Sequence, residues 1–202
     1  MEDIFTNNEG PSLGEPHPLK PFLPKEGKLL MLGSFPPQKK RWCMDFFYPN
    51  FSNDMWRVMG LAFYEDPQHF VDMMQRCYKL TEITEFLVAK GIGLYDTACV
   101  VKRLKDNASD KELEVVEYTD IEALLEQMPT CRTLATTGQK ATETLCEHYG
   151  IPQPKIGVAC GFMLHDKQMT LYRMPSTSRA YPLPLQKKAE AYKRMFEAIG
   201  IL

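Results

Sequence analysis

The chain lacks the marks of several common protein classes. No apolar run in its 202 residues approaches the roughly 18 that a membrane-spanning helix needs, so no membrane partner is expected. The opening stretch, MEDIFTNNEG, is polar and acidic and does not read as a secretory signal. Six cysteines (Cys43, Cys77, Cys99, Cys131, Cys146 and Cys160) stand far apart without a single C-x-x-C. That spacing argues against a zinc or iron–sulfur site, and with no secretory signal it points to reduced cysteines in a cytoplasmic protein. The net charge of −2 lacks the general basicity of many nucleic-acid binders, although a local basic face would suffice. Neither G-x-x-x-x-G-K-[ST] nor G-x-G-x-x-G occurs, and no G-x-S-x-G elbow supports Ser176 as a hydrolase nucleophile. The four histidines, His17, His69, His148 and His165, are scattered and receive no role. No metal or cofactor follows from this inventory.

What is present reads as one globular domain. Apolar residues at 44% and charged residues at 25% are ordinary for such a chain. Residues 1–27 carry five prolines and read as an extended arm on the surface of a domain spanning 28–202. Within that domain β and α patterns alternate. Strands are expected at 28–32, 91–99 and 132–136, and a hairpin at 157–164 and 169–174 supplies the fourth core strand. Helices are expected at 53–62, 67–78, 81–89, 118–127 and 139–149, with a last one after Pro184. Residues 106–114 are polar and turn-rich. The order predicts a three-layer α/β/α sandwich around a central, mainly parallel four-stranded sheet.

Two loops stand out. The apolar run Leu29 to Leu32 stops at Gly33 and gives way to Ser34, Phe35, Pro36 and Pro37. Glycine admits close approach, and two prolines stiffen the turn that follows. Shortly after come Phe46, Phe47, Tyr48 and Phe51, then Asn53 three positions before Trp56. Aromatic faces stack on nucleobases, and strand alternation would leave only one of Phe47 and Tyr48 facing a crevice. A second loop, Pro175-Ser176-Thr177-Ser178, follows another apolar strand. Two loops at strand ends are where open α/β sheets bind ligands.

Gly33-Ser34-Phe35-Pro36-Pro37, Phe47-Tyr48, Asn53-Asp54-Met55-Trp56 and Pro175-Ser176-Thr177-Ser178 together resemble the motif set of the uracil-DNA glycosylase superfamily. The branch they most resemble is the hypoxanthine-DNA glycosylase-like one, with its G-S-x-P-G, tyrosine pair, N-x-F-W and late P-S-T-S. Gly91 to Asp96 is similar to the superfamily's base-recognition strand, and the likeness runs from about Lys28 to Leu202.

The resemblance implies a monomeric DNA repair enzyme that needs neither metal nor cofactor and acts on DNA carrying a deaminated base. It implies Asn53 as the catalytic amide. Asp45 and Asp54 flank the aromatic block, and either carboxylate could activate water instead; Asp54 should point away from Asn53 on a helix, which leaves Asp45 as the rival. The resemblance also implies a base pocket of Gly33, Ser34, Phe35, Pro36, Phe47, Tyr48 and Asp96. Pro175 to Ser178 would press on DNA, joined by Arg179 and Lys187. Three departures from the pattern carry chemistry. Met174 stands where many members have a histidine donor for the leaving base, and Pro37 stands where the branch has glycine. Asp96 replaces the asparagine of uracil specialists; a carboxylate only accepts hydrogen bonds, so it favours a base N–H over a base carbonyl. Two competing readings are a non-catalytic lesion-binding module on the same fold and an unrelated binder of nucleotide or phosphate at the Gly33 and Gly138 loops.

Overall fold

The computed structural model describes residues 14–104 and 113–202. Five strands form the central sheet: β2 (Leu29–Gly33), β5 (Ile92–Asp96), β8 (Thr133–Thr137), β9 (Ala159–Leu164) and β10 (Lys167–Met174), in the order β5-β2-β8-β10-β9. The first four in that order are mutually parallel, and β9 adds an antiparallel edge. The four expected core strands are therefore present, and the first arm of the hairpin widens the sheet to five. Every residue of β2 and β5 is buried, as strands covered on both faces must be.

Among the described residues the cover comes from five α-helices: α1 (Met55–Tyr64), α2 (Leu80–Lys90), α3 (Ile121–Glu126), α4 (Gln139–Tyr149) and α5 (Leu185–Ala198). α1 packs on α5, α2 on β5 and α4 on β8. The amphipathic pattern of α5 buries Ala189, Tyr192, Met195 and Phe196 on one face. Asp120 caps α3 by accepting from the Ala123 N–H at 3.0 Å, so that helix begins at Ile121 and Tyr118 belongs to a strand.

Two expected elements need correction. Residues 67–78 are not a helix but turns and a short hairpin of β3 (Val71–Asp72) and β4 (Cys77–Tyr78). Asp66 accepts from the Gln68 N–H at 2.8 Å, and Asp72 accepts from Met74 and Gln75 at 2.9 Å each; these local bonds compete with helical ones. The run 91–99 is not one strand. It breaks at Thr97, and β6 (Ala98–Arg103) leaves for a second sheet between β1 (Glu15–Pro16) and β7 (Leu113–Tyr118). Of the turn-rich stretch 106–114, residues 106–112 lie outside the described residues and 113–114 open β7. Among the described residues no helix is long and apolar enough to cross a membrane.

The arm lies on the domain through backbone pairing. β1 pairs with β6, the His17 N–H donates to Cys99 O at 2.8 Å, and Phe22 exchanges hydrogen bonds with Leu94 at 3.0 and 2.8 Å.

Candidate active site

Sheet register sets the site. Gly33 stands opposite Asp96, Leu32 opposite Thr136, and Thr137 opposite Met174. The carboxyl ends of β5, β2, β8 and β10 therefore form one row, and their loops leave the sheet on the same side.

The late loop is bolted down on every side. Pro175 O accepts from the buried Tyr192 hydroxyl at 3.0 Å, and Thr177 O accepts from the Asp54 N–H at 2.8 Å. Lys188, whose side chain is 1% exposed, donates to Ser178 O at 2.8 Å and to Asp54 Oδ2 at 3.0 Å. Arg179 holds the other Asp54 oxygen at 3.1 Å from the half-exposed rim. Ser176 Oγ accepts from the Ser178 N–H at 3.2 Å, which tightens the turn. Ser176 also fills the space over Gly138, whose φ of 106° needs a glycine and where a Cβ would lie 3.3 Å from Ser176 Cβ.

Asn53 sits at this junction, one residue before Asp54. Its Oδ1 accepts from the Met55 N–H at 2.9 Å, so the amide caps the start of α1. Its carbonyl accepts from the Tyr78 hydroxyl at 2.6 Å and from Arg57 Nη1 at 3.3 Å, and that Nη1 also donates to the Tyr78 oxygen at 2.7 Å. Burial, only partly offset by the Arg57 guanidinium, pushes the Tyr78 phenol up to about 12. The Asn53 backbone is thus held by two buried polar side chains.

The early loop is held differently. Pro36 O accepts from Arg103 at 2.7 Å, and the guanidinium lies 5.4 Å from the Phe35 ring centroid. Ser34 is half-buried and Phe35 is buried. A Cβ on Gly33 would overlap Asp96 Oδ1, so this glycine makes room for the protein's own carboxylate. Phe47 is 3% exposed and packs in the core. Tyr48 is half-buried in a left-handed conformation, φ 50°, and its hydroxyl bonds Thr137 Oγ1 at 2.9 Å.

Asp96 itself is 6% exposed, and its Oδ2 meets His17 Nε2 at 2.8 Å. Asp45 is not gathered into this cluster. Its side chain is 76% exposed and pairs with Lys39. Lys187 likewise faces solvent and pairs with Glu190 at 2.9 Å.

No family model matches the chain, and no curated protein sequence does. Among solved structures it is similar to a solution NMR structure from Methanosarcina acetivorans, a protein assigned provisionally as a uracil DNA glycosylase. The two share 21% identity and superpose with a TM-score of 0.59, covering 93% of this chain and 98% of that one. The chain has a uracil-DNA-glycosylase-like fold. Within a glycosylase-like fold, the site residues that sequence reasoning missed are the ones that hold others in place. Arg57, Tyr78 and Lys188 brace Asn53 and the late loop. The only sequence signal for Lys188 was its phase: it falls three residues after Leu185 and four before Tyr192, on the apolar face of α5. His17 gave no local signal, because its partner lies 79 residues away.

Proposed function

We propose that the chain is a monofunctional DNA glycosylase that hydrolyses the N-glycosidic bond of a deaminated base, uracil or hypoxanthine, flipped out of DNA. The observation that carries this reading is the Asp54 N–H bond to Thr177 O at 2.8 Å. It joins the Asn53 turn to the Pro175–Ser178 loop at the edge that also carries Gly33 and Asp96. DNA containing the altered base is the partner, the protein acts as a cytoplasmic monomer, and the chemistry asks for no metal.

Extruding a base costs a few kcal/mol, and least where pairing is already weak. Ser34, Phe35 and Pro36 line the early side of the pocket, with Gly33 beneath. Tyr48 supplies the stacking face, since Phe47 is already enclosed at 3% exposure. Pro175 to Ser178 press on the DNA backbone, with Arg179 and Lys187 at the rim. The Met55 N–H takes one lone pair of Asn53 Oδ1, and the second orients a water. Water oxygen bonds to C1′ as the C1′–N bond breaks, its electron pair leaving with the base and the spare proton passing to solvent. An amide orients this water without deprotonating it, so slow turnover is expected. Met174 is 1% exposed in the core and offers the leaving base no donor, which leaves that task to backbone N–H groups of the early loop.

Those same two features, the capping bond on Asn53 and the apolar Met174, favour the second reading, a lesion-binding module without catalysis. One assay separates the two. Duplexes carrying single uracil, hypoxanthine or xanthine residues are incubated with wild type and then treated with alkali. Strand scission at uracil or hypoxanthine is expected. Tight, salt-dependent binding with every base left attached would instead make it a lesion-binding module.

A further inference from the structure

The N-terminal arm enters the same site. His17 sits at mid-span, held before by the pairing of Glu15 and Pro16 with β6 and after by Phe22 with Leu94. Its side chain is 2% exposed. Its ring lies 5.1 Å from Phe35, 4.6 Å from Tyr95 and 6.2 Å from Phe47, centroid to centroid. Nδ1 faces the Leu19 N–H at 3.1 Å and the Leu19 carbonyl at 2.8 Å. Nε2 meets Asp96 Oδ2 at 2.8 Å, and since an ionised carboxylate only accepts, this nitrogen carries the hydrogen. The other carboxylate oxygen lies over Gly33, in the niche that a Cβ would fill and within which the Tyr48 hydroxyl is also close, 3.6 Å from that Cβ position.

We propose that His17 is a specificity-determining positioning residue. By binding Oδ2 it locks Asp96 with Oδ1 over Gly33, so the pocket offers a flipped base one fixed acceptor. This deepens the glycosylase reading and rests on it. The chemistry of deamination explains what a fixed acceptor reads. At the central position of the Watson–Crick edge, cytosine N3 and adenine N1 carry lone pairs, whereas uracil N3 and hypoxanthine N1 carry hydrogens. Deamination of either base therefore turns an acceptor into a donor at the same position. A carboxylate there attracts both products and repels both parents. An asparagine amide can turn over to present either its donor or its acceptor; a carboxylate held by His17 cannot. The substrate class is thus bases with a hydrogen on that central nitrogen, pyrimidine and purine alike, with thymine and guanine left to be excluded by shape. The Gly33 loop contributes the niche, and the arm contributes the orientation.

The test compares wild type, His17→Ala, His17→Gln and Asp96→Asn, each first shown folded by thermal unfolding. Duplexes carry uracil, cytosine, hypoxanthine or adenine at one position, and both base release and affinity are measured. Wild type is expected to prefer uracil over cytosine and hypoxanthine over adenine. His17→Ala should shrink both ratios by about tenfold or more, because an analogue's unmatched polar group is no longer punished. His17→Gln, which can place an N–H near the Nε2 position, should restore most of the discrimination, and Asp96→Asn should admit the parent bases. Equal loss for all four bases in His17→Ala, or a Gln variant as indiscriminate as Ala, would overturn the proposal while leaving a working glycosylase. If wild type releases nothing, yet its binding preferences collapse in His17→Ala, the assignment of His17 stands and the glycosylase reading falls. A wild type with no preference in either readout overturns the role of His17.

Discussion

The late loop and the early loop leave the same end of the sheet, yet they are anchored by different kinds of partner. The late loop is tied by groups internal to the domain: Lys188 and Tyr192 from α5, and the Asp54 backbone at the start of α1. Its central pair, Asp54 and Lys188, is buried, with side chains 10% and 1% exposed. Such pairs give up much of their attraction to desolvation, so their value lies in fixing geometry more than in stability. The early loop takes its fixings from Arg103 on the second sheet, from Trp42, which donates to Pro37 O at 2.6 Å, and from the arm. Glu15 binds Arg103 at 2.6 Å, Arg103 holds Pro36, and His17 holds Asp96. The late loop is scaffold for Asn53. At the early loop the group that the arm holds, Asp96, is one of those proposed to meet the base. Damage to the first should cost stability and rate together, whereas damage to the second should alter choice among bases.

The largest effect should follow Asp54→Ala, which leaves the Lys188 ammonium buried with only the Ser178 carbonyl. Removing one partner of a buried pair costs about 3–5 kcal/mol, readable by urea unfolding. The double variant Asp54→Ala, Lys188→Met should recover much of that loss. No recovery would mean that the loop, not the unpaired charge, carries the cost.

Tyr78→Phe should come next, at about 1–3 kcal/mol, because the Asn53 carbonyl and Arg57 lose a buried partner. It also has a pH signature. The folded Tyr78 phenol is raised from 10.0 to about 12, so the native state keeps a proton that the unfolded chain gives up. That contribution is whole below pH 10 and drains away as pH rises toward 12. Tyr95, raised by burial to about 12 as well, acts in the same window. Tyr78→Phe should therefore flatten part of the alkaline loss of stability, and an unchanged slope would remove Tyr78 from the account of it.

The smallest effect is expected from Asp45→Asn. A solvated carboxylate paired with Lys39 should change stability by less than about 0.5 kcal/mol and leave base release at the wild-type level. A large loss of release with unchanged binding would instead make Asp45 the group that activates water.

Much of the sheet was legible because buried parallel strands write themselves as unbroken apolar runs, as Leu29 to Leu32 does. The helix at Gln139–Tyr149 was legible to the residue, since Gly138 and Gly150 bracket it. The segment 67–78 was not, because its helical spacing of apolar residues was outweighed by side-chain bonds from Asp66 and Asp72. The loops of the site were readable as local motifs. Their supports were not, for a lysine reads as surface until its helix is docked, and a histidine in a proline-rich arm acquires a meaning only when the arm folds back onto Asp96. Gly33 was marked as a place of close approach, but what approaches it is another side chain of the protein, Asp96; Gly138, not so marked, is met in the same way by Ser176.

The central claim is that Asn53 orients the water that frees the base. Its most direct measurement is single-turnover release of uracil and hypoxanthine by wild type and Asn53→Ala, with duplex affinity measured in parallel. Release should fall at least about a hundredfold in the variant while affinity stays close to that of wild type. Equal release by the two proteins would contradict it.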